Sequence, residues 1–184
     1  MIIIAGLGHC GTSLLAGAFD GKHTFCRACP NKWSDLSLFK YPVIKTHSLP
    51  PTDWPPKSKA IWCFGNPMDI VISCRGDARH CQNLMGDYKH MDEIYDRDVM
   101  GLEKHFDVWY KQQRISFATV KYEKIFSNIK EIKRFMGLKM NFPEFVPRKT
   151  NWKKHWAAPW LKETYGRLAE KIEPDISSVI LNNS

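Results

Sequence analysis

Residues Gly6–Ser13, GLGHCGTS, follow the apolar tetrapeptide Ile2-Ile3-Ile4-Ala5 and have the spacing of a phosphate-cradling loop, GxxxxGK(S/T), with Thr12 where the lysine would stand. Backbone N–H groups in such a loop turn inward toward an anion, and the helix that follows adds the positive end of its dipole. The usual lysine reaches the β- and γ-phosphates of a nucleoside triphosphate, so a loop without it suits a different phosphorylated ligand. A second polar group, Lys45-Thr46-His47, stands at the end of the apolar run PVIKTH, and a third stretch, Gly65–Ser73, follows AIWCF. Basic residues gather late, in Arg148, Lys149, Lys153 and Lys154. Each has a plainer reading: a glycine-rich turn, a loop histidine, a serine bonded to its own helix backbone, a solvated charge pair.

The elements that must position these groups alternate between strand and helix. Ile2–Ala5, Pro42–His47, Ala60–Phe64 and Ser116–Tyr122 read as strands; Thr12–Phe19, Met68–Cys74 and Trp160–Ile172 read as helices. Leu102, Phe106 and Trp109 fall at helical spacing, as do Ile129, Ile132 and Met136, whose helix should end at Gly137. Residues 20–40 read as irregular, residues 76–98 as a polar region covering a substrate, and Pro174 as the divider before a short tail. The pattern predicts an α/β chain: one domain over residues 1–184, three layers, and a central parallel sheet of four to five strands flanked by helices. Ligands of such sheets bind beyond the carboxyl ends of the strands, where the three polar stretches converge.

Composition narrows the options. Hydrophobic residues make up 43%, with seven Trp and ten Phe, which excludes a disordered chain. No apolar run reaches the roughly 18 residues of a membrane span. The chain begins directly with its first strand, which argues for a cytoplasmic protein with reduced thiols. A formal charge of +8 favours anionic partners without choosing among them. His23-x2-Cys26-x2-Cys29 has the spacing of metal ligands but lacks a second matched pair, so zinc is the lesser reading.

Taken in order, the motifs resemble those of the sulfotransferases that use 3′-phosphoadenosine 5′-phosphosulfate. The family's (K/R)SGT(T/S) is matched by His9-Cys10-Gly11-Thr12-Ser13 and its KTHLP by Lys45-Thr46-His47-Ser48-Leu49-Pro50. RNPxDxxxS is matched by Gly65–Ser73, and the strand ending YED by Tyr122-Glu123-Lys124. RKG with a WKNHF-like segment is matched by Arg148-Lys149-Thr150 and Trp152–Trp156. The resemblance implies that Gly8, His9, Cys10, Gly11, Thr12 and Ser13 hold the 5′-phosphosulfate, and that Lys45, with His9, offsets charge at the sulfuryl group. It makes His47 the general base, a task suited to imidazole. It assigns Ser73, Arg148 and Lys149 to the 3′-phosphate, and requires no metal. Three positions depart from the pattern: His9 at a cationic place, Gly65 where an arginine would grip the 3′-phosphate, and Leu14 where a tryptophan would stack on adenine. Arg75 and Arg79 are the candidates to replace the missing arginine.

The function implied is sulfuryl transfer to a hydroxyl of a small molecule or carbohydrate. Two alternatives stay open: a non-catalytic binder of nucleotides, sulfated sugars or RNA on the same fold, and a kinase-like enzyme. Stacking of bases on Trp152 and Trp156 would support the RNA reading, although nucleic acid is the less favoured partner. The kinase-like reading lacks an acidic strand end for Mg²⁺.

Overall fold

Ile2-Ile3-Ile4-Ala5 is apolar on both faces, which suits only a strand covered on both sides. In the computed structural model it is the central strand β1 (Ile2–Ala5), buried throughout. The structure describes residues 1–26, 43–54, 57–111, 115–144, 146, 148–175 and 179–182. The further strands are β2 (Thr24–Cys26), β3 (Val43–Thr46), β4 (Lys59–Phe64), β5 (Ser116–Lys121) and β6 (Val179–Asn182). They form one six-stranded sheet in the order β2-β3-β1-β4-β5-β6. The first five strands in that order run parallel and β6 pairs antiparallel with β5. The parallel α/β sheet is as expected, while β2 and β6 lie in stretches read as irregular and as tail.

The helices are α1 (Thr12–Gly17), α2 (Pro67–Arg75), α3 (Ala78–Leu84), α4 (Leu102–Tyr110), α5 (Ile129–Met136) and α6 (Ala158–Asp175). Local chemistry sets their ends. Asn66 caps α2, its side-chain oxygen accepting from the amides of Met68 and Asp69 at 3.0 and 3.3 Å, with Pro67 in the first turn. The Asp98 carboxylate does the same for α4, accepting from Leu102 N and Glu103 N at 2.8 and 2.9 Å. Gly137, at φ 68°, ends α5. Helix α6 starts two residues before the expected Trp160 and runs one residue past Pro174. A proline in a last turn forfeits a single backbone bond, so it need not stop the helix there.

The core covers both faces of the sheet, and α4 supplies its aromatic part. Trp62 and Phe64 of β4 meet Phe106 at ring-centroid distances of 5.6 and 5.9 Å, and Trp109 stacks on Phe117 of β5 at 6.2 Å. Residues 76–98 are tied to α6: the buried Tyr165 hydroxyl lies 2.9 and 2.8 Å from the carbonyls of Ile94 and Arg97. Among the described residues, no helix is long and apolar enough to cross a membrane.

Candidate functional site

Strand register determines which groups meet beyond β1. Ala5 lies opposite Thr46 of β3 and Trp62 of β4, so Gly6, His47 and Cys63 emerge side by side. The fit leaves no room for a side chain at Gly6, where φ is +151° and a Cβ would stand 2.4 Å from the carbonyl oxygen of Cys63. Gly11, at φ +98°, is constrained in the same way: a Cβ there would meet Ile125 Cδ1 at 2.6 Å and the Tyr122 ring at 2.9 Å. The loop between them folds over Cys10, whose buried thiol donates to the Leu7 carbonyl. Burial pushes that thiol up to about 12, so Cys10 is a neutral packing group and no nucleophile.

Lys45 and His47 are two apart along β3 and its extension and therefore share a face. Lys45 Nζ donates to Ser13 Oγ at 2.8 Å and stands 4.8 Å over the ring of Phe25, which β2 places opposite it in register. Burial lowers its pKa from the ordinary lysine value. His47 Nδ1 lies 2.5 Å from the carbonyl oxygen of Gly6. A bond to a carbonyl requires the proton on Nδ1, which makes Nε2 the basic nitrogen. The turn after β3 is held from below by α4. Trp109 Nε1–H donates to the Ser48 carbonyl at 3.0 Å, and the buried His105 accepts from Trp62 Nε1–H at 3.3 Å. Burial drives His105 down to about 3, and any charge on His47 would add to the effect, so His105 stays neutral.

The third group comes from distant segments. Ser73 Oγ of α2 lies 2.7 Å from Thr150 Oγ1, and the Asp69 carboxylate accepts from Trp152 N at 2.8 Å. These two contacts draw residues 148–152 along α2. Arg148 then reaches the loop: its guanidinium covers the Tyr122 ring at 4.4 Å, donates to the His9 carbonyl at 2.5 Å and lies 3.5 Å from Glu123 Oε1.

A cavity of about 480 Å³ opens among these groups. His9, Gly11, Thr12, Ser13, Lys45 and His47 line it from the loop and β3; Leu14, Ser73, Asp77, Tyr122 and Arg148 line it from elsewhere. Gly8 and Cys10 are buried within the loop and Lys149 is exposed; none of the three lines the cavity. Arg75 does not fill the place left by Gly65, because it pairs with Asp92 at 2.8 Å, and Arg79 does not line the cavity either. A Cβ at Gly65 would already stand 3.2 Å from both Tyr122 Cβ and Glu123 Oε1, the two residues that Arg148 contacts. Tyr122, expected only to end a strand, faces the cavity. Asp77 and the β2 residue Phe25 fall in stretches that read as polar and irregular, with no sequence signal of their place.

For the metal reading, Cys26 is disulfide-bonded, against the expectation of reduced thiols, and Cys29 lies outside the described residues. No group of three metal-ligating side chains occurs among the described residues.

No family model and no curated protein matches this sequence. Among solved structures, the chain superposes on the mouse sulfotransferase SULT7A1, crystallised with PAP, at a TM-score of 0.53 and 21% identity. The likeness is one of fold. It covers 76% of this chain and 59% of that one, so the chain spans less than two-thirds of the enzyme it resembles.

Proposed function

We propose that this protein is a sulfotransferase that moves a sulfuryl group from 3′-phosphoadenosine 5′-phosphosulfate to a hydroxyl of a small-molecule or carbohydrate acceptor. The observation that carries the reading is the single cavity joining the glycine-rich loop, Lys45, His47, Ser73 and Arg148. In this reading the loop amides and the Thr12 and Ser13 hydroxyls hold the 5′-phosphosulfate. Preorganised donors of this kind stabilise the charge that grows on the departing phosphate. His47 Nε2 takes the proton of the acceptor hydroxyl as its oxygen bonds to sulfur. The bond between sulfur and the 5′-phosphate oxygen breaks, giving a sulfate ester and adenosine 3′,5′-bisphosphate. Lys45, held by Ser13 until donor binds, offsets charge on the sulfuryl oxygens and on the bridging oxygen. Ser73 and Arg148 receive the 3′-phosphate, Arg148 supplying from the C-terminal segment the cation that Gly65 lacks.

The test is calorimetric titration with adenosine 3′,5′-bisphosphate, using ATP and 5′-AMP as comparators. The 3′-phosphorylated ligand should bind at least tenfold more tightly than 5′-AMP, and Arg148→Ala should erase most of that preference, since bonds between charged partners contribute about 1.5–3 kcal/mol. Equal binding of all three ligands would sink the proposal. Magnesium-dependent turnover of ATP would favour the kinase-like alternative instead.

A further inference from the structure

Helix α4 carries a buried histidine that the reaction proposed above does not use. His105 is 3% exposed and lies between the rings of Trp62 and Trp109, at centroid distances of 6.3 and 6.2 Å. An apolar side chain could pack between these rings without burying two polar nitrogens. The imidazole therefore has to be compensated by what its nitrogens meet.

Nδ1 accepts from Trp62 Nε1–H at 3.3 Å, and in a neutral ring that places the proton on Nε2. Nε2 is buried and closes no hydrogen bond of normal geometry among the described residues. What it faces is the turn that bears His47. The backbone of His47 and Ser48 opposes the effect of burial by favouring a protonated ring, as carbonyl oxygens do opposite a ring N–H. Bonds around a reaction centre are often long in the unliganded site and tighten when substrates arrive. The Ser48 carbonyl also accepts from Trp109 Nε1–H at 3.0 Å, one helical turn beyond His105, and keeps a second lone pair. From this turn the His47 ring extends to the Gly6 carbonyl, so the placing of its backbone decides whether Nδ1 reaches that oxygen.

We propose that His105 is a positioning residue for His47: its Nε2–H anchors the carbonyls of the His47–Ser48 turn and so keeps the His47 proton on Nδ1, with Nε2 left basic. The inference rests on the base role given to His47 above and deepens it.

The experiment compares His105→Asn with His105→Gln. The asparagine amide oxygen takes the place of Nδ1, which keeps a partner for Trp62 and withdraws the donor from the turn. The glutamine amide nitrogen reaches the place of Nε2 and keeps that donor. With the best acceptor, kcat should fall about tenfold in His105→Asn and stay within about threefold of wild type in His105→Gln. Donor KM and affinity for adenosine 3′,5′-bisphosphate should move by no more than about twofold in either variant, because His105 lines no part of the cavity. Heteronuclear NMR of the histidine rings should show wild-type His105 protonated on Nε2 and His47 on Nδ1, with a second His47 form, protonated on Nε2, in His105→Asn. Equal losses in the two variants, or the larger loss in His105→Gln, overturn the proposal, since His105 then serves only packing or Trp62. A wild-type His105 protonated on Nδ1 overturns it as well, without any variant having to fold. Absence of sulfuryl transfer by wild type overturns the base role of His47, and the ring tautomers then still decide whether His105 positions His47.

Discussion

The two halves of the cavity are assembled in different ways. The loop, Lys45 and His47 are placed by adjacent parallel strands, and their positions follow from the register of β1, β3 and β4. Ser73, Asp77, Tyr122 and Arg148 come from a helix, a helix junction, a strand end and a segment 139 residues downstream of the carbonyl it touches. The first half is constrained by backbone geometry, the second by side-chain contacts such as the Arg148–Glu123 pair, a partly exposed ion pair of a kind that contributes only about 0–1 kcal/mol. The sheet therefore holds the first half rigidly, while the second half keeps more freedom to adjust.

The sharpest way to break this contrast is Gly6→Ala. Its Cβ has no space beside Cys63 O and its φ is unsuited to alanine, so destabilisation of roughly 3 kcal/mol or more is expected in urea unfolding. A loss under about 0.5 kcal/mol would show that the loop is not held by backbone fit. Next in size is His47→Ala, which should slow sulfuryl transfer by about 10²–10⁴ while leaving binding of adenosine 3′,5′-bisphosphate within about twofold. The assay is release of that product with the best acceptor from a hydroxyl-compound screen, and an unchanged rate removes His47 from the base role.

A smaller effect is expected from Lys45. Its pKa is lowered by burial, so its charge is present below that pKa and is lost as pH rises through it, at a lower pH than the 10.5 of an ordinary lysine. Donor affinity should accordingly fall on the alkaline side, by up to about tenfold per pH unit beyond the pKa, and Lys45→Met should flatten that limb. Calorimetry across pH 7–10.5 checks it. The smallest change should come from Lys149→Ala. This side chain is exposed outside the cavity, so bisphosphate affinity should move by no more than about twofold, against the large loss expected for Arg148→Ala.

How much of this is legible in the sequence follows the same division. Ile2–Ala5 and the strand-end polar groups are readable because buried parallel strands are short apolar runs and ligands gather at their carboxyl ends. The amphipathic helix before Gly137 is readable from its period and its cap. The antiparallel β6 is not, because Val179–Asn182 follows a proline and two serines and is too short for a pattern. Neither is β2, whose three residues sit within a polar stretch although Phe25 ends up over Lys45. The inward turn of Tyr122 and the position of Asp77 depend on tertiary contacts with no local signature. Spacing points to the following helix, at Arg75 and Arg79, for a replacement of the arginine missing at Gly65, yet the cation that contacts Tyr122 and Glu123 there is Arg148, a long-range return that spacing does not encode.

The antiparallel pairing of β6 with β5 bears on how the chain is made. Residues 122–178 separate the two strands, so during synthesis β5 leaves the ribosome with its outer row of backbone N–H and C=O groups unpaired. Translation adds about 5–20 residues per second, and an open strand edge is a template for pairing with other chains. For several seconds each nascent molecule thus exposes β5 as an open edge, until β6 emerges and pairs with it.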